Sequence, residues 1–393
     1  MLYFDIVSNL QDVIMTKPKR ILIGEGSAEP TQGFELVRQH FAPHPVEFYF
    51  GVRRSTEGLD MIDSSDISIV ANFPGRGMAK LNNPPKLCNL SAYSITRALD
   101  SHRLQPDALL VVATPPDKNG DRSLGTANGP LQSAIDNAPI IFVEEYPELS
   151  CIPGAAIIPA SKTIKVLAHK PAAFTALSRP PTDMDYACAE NIASLLGNNL
   201  PMQIGVGGII EALTGFLTKK SGLRIITGAV GETIRQLDQA GALDKNQNIL
   251  GTALVGNEEL IEWATQSKNL QLMSSRLIHN PKWLAKIANF HSINIALSID
   301  LEGNVNAESV KDKRVSGKGG SPDFAKGAHL SPGGQAIVAL RSDRGNCLVN
   351  KISRPTIPGN QISHVVTEKG IADLRNLTAS KRAAALENLM GLS

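Results

Sequence analysis

Aromatic residues make up only 5% of this 393-residue chain, too few for the stacking platforms on which single-stranded nucleic-acid binders rely. Neither sign of charge dominates: 39 Lys and Arg stand against 37 Asp and Glu, a net of +2. The longest basic cluster, Lys17-Pro18-Lys19-Arg20, runs straight into the apolar Ile21–Ile23 and is no stripe for tracking phosphates. Nucleic acid is not expected as a partner. No window approaches the ~18 consecutive apolar residues of a membrane-spanning helix, so no membrane partner is expected either. The opening MLYFDIVSNLQDVI carries Asp5 and no basic lead, which is not the pattern of a secretory signal. Its Phe4, Val7, Leu10 and Ile14 recur at helical spacing. The four cysteines (Cys88, Cys151, Cys188, Cys347) form no CxxC pair, and the eight histidines form no HExxH. A disulfide framework and a metal site are therefore not expected. The expectation is a metal-free cytoplasmic protein.

What the chain does have is turn-forming residues: 33 Gly and 24 Pro punctuate short β-branched runs, as in an α/β protein. Candidate strands are Arg20–Ile23, Ile67–Ala71, Ala108–Ala113, Ile140–Val143 and Ile164–Ala168. A second series comprises Arg224–Thr227, Thr252–Val255, Leu270–Met273, Ile293–Ile299, Ala336–Leu340 and Ser363–Thr367. Several are apolar on both faces, the mark of strands covered by helices on two sides. The polar, Pro-rich stretch 178–183 separates the two series, and a helix over Met184–Leu196 follows it with Thr182 or Asp183 as N-cap. This places a domain boundary between residues 182 and 183, giving α/β halves of 1–182 and 183–393.

Three segments are suited to ligand binding. Gln203-Ile-Gly205-Val-Gly207-Gly208 ends an apolar run and opens a helix over Ile209–Leu217. Its backbone N–H groups and the helix N-terminus suit an anion, though glycines also simply make tight turns. The spacing is neither GxGxxG nor a P-loop. Gly317, Gly319, Gly320 and Asp323 lie in a Gly-rich stretch open to close backbone approach, or to a mobile surface loop. Asn294 stands toward the end of an apolar strand, where open α/β sheets place ligands. The residues by themselves give an α/β enzyme that binds an anionic small molecule.

In this order, the motifs resemble the acetyl-CoA hydrolase/transferase family, the class I CoA-transferases that include 4-hydroxybutyrate CoA-transferase. The likeness runs through Ala113-Thr-Pro-Pro-Asp117-Lys-Asn-Gly120-Asp-Arg-Ser123-Leu-Gly125, QIGVGG, SINIALSIDLEGNVNAES, SGKGGSPDF and Val365-Val-Thr-Glu368-Lys-Gly370-Ile-Ala-Asp-Leu374. It implies two open α/β domains (NagB/RpiA-like) around a central active site, in a homodimer or larger oligomer. It also implies coenzyme A as a substrate, carried as an acyl-CoA or acyl-carrier thioester. Gly205, Gly207, Gly208 and Asn294 become candidates for oxyanion and substrate binding. Gly317, Gly319, Gly320 and Asp323 become candidates for CoA binding.

In that family a glutamate attacks the thioester and a glutamyl-CoA intermediate passes CoA to a carboxylate. The ungapped stretch from Gly205 to Gly241 puts Thr227 on the family's Thr and Gly228 on the nucleophilic Glu. Glycine cannot be a nucleophile. Glu232, four residues on, is the candidate replacement as nucleophile or base, or else a helix-end carboxylate facing the dipole. Ile210 where the family has Pro before its acidic residue, Asn198-Asn199 where it has Asp-Gly, and a short tail after Met390 depart from the family pattern too. Three readings follow. One is thioester hydrolysis, or cleavage of a β-keto acyl chain, without a covalent glutamate. Another is true transfer through Glu232, with Glu144 or Glu368 behind it. The third is a non-catalytic CoA-binding subunit.

Overall fold

Ala108–Ala113 is apolar at every position and buried at every position, and its alternating side chains enter two separate cores. Leu109 and Val111 join one apolar cluster while Ala108 and Leu110 join another. A period of two feeding two buried faces is what a central parallel strand needs. The computed structural model describes residues 17–172, 179–311, 313–343 and 345–392. The helical pattern read at Phe4–Ile14 and the first residue of the 178–183 stretch lie outside them.

The first sheet takes β1 (Lys19–Ile23), β2 (Val46–Val52), β3 (Ser68–Phe73), β4 (Lys86–Leu87), β5 (Ala108–Ala113), β6 (Ile141–Glu145) and β7 (Thr163–Ala168). Their order is β4-β3-β2-β1-β5-β6-β7, with every pair parallel. Helices α1 (Phe34–Phe41), α2 (Ala92–Asp100) and α3 (Leu131–Asn137) cross between strands.

A second sheet is made by β8 (Pro201–Ile204), β9 (Arg224–Ile225), β10 (His291–Ile295), β11 (Gln335–Ala339), β12 (His364–Thr367) and β13 (Gly370–Asp373). It runs β9-β8-β10-β11-β12-β13, and only β13 is antiparallel to its neighbour. Around it lie α4 (Asp183–Ser194), α5 (Gly208–Leu217), α6 (Glu232–Gln239), α7 (Glu258–Gln266), α8 (Ser321–Leu330) and α9 (Ala379–Met390). α4 begins on a capping box, Thr182 with Asp185, which satisfies two orphan backbone donors reciprocally.

The α/β class read from the sequence is the class that forms, and the differences are local; among them, Leu270–Leu272 pairs only with Ile249–Gly251 outside the main sheets. Val46–Val52 is a strand; its Glu47 and Gly51 interrupt the apolar run that would have marked it. The stretch Ile293–Ile299 divides, because the chain leaves the second sheet after Ile295. Ser298–Asp300 then pairs with Val305–Asn306 and Leu348–Val349. Thr252–Val255 shortens to Ala253–Leu254, pairing with Ala229–Val230 instead of a main sheet. No helix among the described residues is long and apolar enough to cross a membrane.

Candidate active site

Both sheets reverse strand order once beside their first strand, between β1 and β5 and between β8 and β10. Open parallel sheets bind ligands at the carboxyl ends of the strands flanking such a reversal. The two carboxyl ends meet here. A cavity of about 1330 Å³ lies between the halves, lined by Ser27 beyond β1 and by Gly205, Val206 and Gly207 beyond β8.

The first half braces its side of the cavity with buried carboxylates. Glu29 accepts the N–H groups of Arg54 and Ser55, each at 3.0 Å, and lies against the Arg53 and Arg54 guanidiniums. Burial pushes its pKa up, with Arg53 opposing. Glu144 is fully buried and accepts the N–H groups of Thr31, Gln32 and Gly33 at 2.8–3.0 Å and His169 Nδ1 at 2.9 Å. One of the two reserve carboxylates is thereby committed to the loop that enters α1. The other, Glu368, accepts the Ser342 N–H at 3.1 Å and the Ser342 hydroxyl, and is not among the cavity-lining residues.

Across the cavity the chain turns from β8 into α5. Gly205 N–H is already used, donating to Ile293 O at 2.9 Å. The N–H groups of Val206, Gly207 and Gly208 bond no acceptor among the described residues. Gly207 has φ +122°, a left-handed value that glycine accepts without a Cβ penalty. These donors and the helix N-terminus supply partial positive charge to the cavity wall. Asn294 is not among the cavity-lining residues: its amide pairs with that of Gln203, Nε2 to Oδ1 at 3.2 Å and Nδ2 to Oε1 at 3.0 Å, and the residue is buried.

Gly228 lies beside this turn. The Thr227 hydroxyl donates to Ile204 O at 3.0 Å, and Gly228 O accepts the Thr252 N–H and hydroxyl at 2.8 and 2.9 Å. Glu232 lines the cavity, but Arg235 takes both its oxygens at 2.8 and 2.6 Å and Gln236 adds a third bond. Those bonds hold its pKa down. Lower basicity is the opposite of what a base near neutral pH needs.

Glu211 is the carboxylate that sequence reasoning passed over. It projects from the first turn of α5 into the same cavity. The side chain is exposed, and the partial loss of water on its protein side raises its pKa, with Arg179 opposing and Asp185 adding to the rise. The only sequence signal was its place at the acidic position of the glycine motif, and a Glu on a helical first turn is common for dipole reasons alone.

The four Gly-rich candidates are not brought to this cavity. Gly317 N–H donates to Asn72 O at 2.6 Å, Gly319 O accepts from Ala92 N–H at 2.9 Å, and Gly320 packs on the His279 ring. Asp323 is buried and caps α2 of the other half. Among the described residues no cluster of three or more His, Cys, Asp or Glu could hold a metal.

Comparison with known proteins places this arrangement. Residues 256–390 match the model for the acetyl-CoA hydrolase/transferase C-terminal domain. The chain is 30% identical over 311 residues to the 4-hydroxybutyrate coenzyme A transferase of Clostridium kluyveri, covering 76% of this chain and 72% of that one. Its fold is that of RipA from Yersinia pestis, with a TM-score of 0.84, 22% identity, and 95% and 91% of the two chains covered. The 4-hydroxybutyrate CoA-transferase of Porphyromonas gingivalis superposes with a TM-score of 0.74 at 21% identity, covering 96% and 92%.

Proposed function

This chain belongs to the acetyl-CoA hydrolase/transferase family, and we propose that it cleaves an acyl-CoA thioester with water instead of passing CoA through a glutamyl thioester. It is an enzyme of acyl-CoA chemistry, with coenzyme A as part of the substrate. The observation that carries the finer reading is the pairing of Gly228, which offers no side chain, with a Glu232 whose oxygens are both held by Arg235. Neither is free to attack a carbonyl carbon.

In this reading Glu211 takes a proton from water as the oxygen attacks the thioester carbonyl, a role its raised pKa favours. The oxyanion is met by the N–H groups of Val206–Gly208 and the α5 terminus. Collapse expels the CoA thiolate, and the balance is thioester plus water giving carboxylate, CoA thiol and a proton. The family resemblance further supports a homodimer or larger assembly acting in the cytoplasm.

The test is a mass-spectrometric time course of acetyl-, butyryl- and acetoacetyl-CoA with labelled acetate and, separately, in isotopically labelled water. Hydrolysis predicts label from water in the released acid and free CoA formed at the same rate with or without acetate. Label from acetate appearing in a new acyl-CoA would sink the reading and restore transfer.

A further inference from the structure

The space in front of Gly228 is filled. A Cβ at that position would lie 3.3 Å from His279 Nε2 and 3.6 Å from its Cε1, with Phe324 Cε2 at 4.0 Å. Gly320 faces the same nitrogen: a Cβ there would stand 2.5 Å from Nε2 and 2.7 Å from Cδ2. Two glycines from separate loops thus flank one imidazole. The ring is well held, 5% exposed, with Nδ1 at 3.1 Å from the buried Ser275 hydroxyl and the Phe324 ring centroid 4.8 Å away.

We infer that His279 occupies the chamber that a side chain at 228 would enter, so the covalent route is closed by a bulky neighbour as well as by the missing carboxylate. The inference rests on the proposed reading that 228 is the vacated nucleophile position. A single carbon at 228 is accommodated with a shift of a few tenths of an ångström. A glutamate pointed the same way meets the ring. Burial pushes the His279 pKa down to about 3, so the imidazole is neutral and offers a carboxylate no ionic compensation for its lost hydration. Were a carboxylate accommodated there, its oxygen would attack the thioester carbonyl and expel CoA thiolate, leaving a mixed anhydride. The thiolate would then attack the side-chain acyl carbon, release the substrate carboxylate, and leave CoA bound as a thioester.

A double-mutant cycle tests this on the full chain with acetyl-CoA as the probe. Gly228→Glu alone is expected to lower the Tm by roughly 5 °C and to carry no covalent CoA. In the His279→Ala background the same substitution should cost less than half as much, and intact-protein mass should show a hydroxylamine-sensitive CoA adduct mapping to residue 228. Equal Tm losses in both backgrounds, or an adduct in Gly228→Glu alone, would overturn the inference. Relief of the Tm loss without an adduct in the double variant upholds His279 as the occupant and removes 228 as the nucleophile position. If Gly228→Glu does not fold, Gly228→Ser run through the same cycle reads the same coupling.

Discussion

Asp323 accepts the Ser91 hydroxyl at 2.7 Å and the Tyr93 N–H at 2.9 Å, so a carboxylate of the second half caps helix α2 of the first. Its neighbours Gly317 and Gly319 bond backbone to backbone across the same seam. Along with Arg276 on Asp100 and Asp136, these bonds tie residues of the two sheets together across the seam.

Stability should therefore depend on pH through Asp323. Burial pushes its pKa up to about 7, with the Tyr93 and Ser91 bonds opposing. An acid whose pKa is raised by folding binds its proton more tightly when folded. Its contribution is full below the unfolded value near 4 and is lost as pH rises through about 7. The Tm of the native protein should fall more between pH ~5 and ~7 than that of Asp323→Asn, which keeps one acceptor oxygen for the Tyr93 N–H and turns an amide donor toward the Ser91 hydroxyl. Parallel profiles would show that Asp323 does not titrate in that window.

Glu211→Gln should lower kcat for thioester hydrolysis by about 10²-fold or more, the usual scale of a lost general base. The pH profile is the sharper readout. Since its pKa is raised, the native rate should decline on acidification with an apparent value above that of a free glutamate. The variant should lack that limb. An unchanged acidic limb in Glu211→Gln would assign the base elsewhere.

Glu232→Gln, by contrast, should change kcat less than ~3-fold, because its carboxylate is spent on Arg235 and Gln236. The i,i+3 pair is only half-buried, so breaking it should leave the Tm nearly unchanged. Abolished turnover with an intact Tm would make Glu232 the catalytic carboxylate after all.

How much of this was legible in the chain differs by kind of residue. Ala108–Ala113 was, because a strand buried on both faces needs nothing but an apolar run. The turn at Gly205–Gly208 was, since strand, glycines and helix are contiguous. The committed state of Asn294 was not: it depends on Gln203, its neighbour only through the β8–β10 register. Asp323 read as part of a ligand loop because the residue it caps, Ser91, lies in the other half of the chain. His279 carried no local signal, being a lone histidine whose meaning comes from two glycines brought to it by separate loops. The Glu211 pKa likewise depends on desolvation in the fold, and then on Arg179 and Asp185 just before and within the first turn of α4. Contiguous patterns survive in one dimension; pairings that the topology creates do not.

The glycine turn supplies the last prediction. Gly207 caps the start of α5 and Gly215 lies within it, and alanine should act on them with opposite sign. At Gly207 the backbone has φ +122° and a Cβ would lie 3.0 Å from Ile295 Cδ1, so Gly207→Ala should cost about 1–3 kcal/mol in strain. At Gly215, inside the helix, a Cβ meets nothing within 4 Å, so Gly215→Ala should stabilise by about 0.5–1 kcal/mol through helix propensity. Urea denaturation of the two variants gives the signs directly. Activity separates them further. Relaxing the 207 backbone reorients the unbonded N–H groups of Val206–Gly208, so Gly207→Ala should lose kcat as well as stability, while Gly215→Ala should leave hydrolysis intact. If Gly207→Ala loses stability but keeps full kcat, those N–H groups do not stabilise the oxyanion. The donors would then have to be sought elsewhere on the cavity wall.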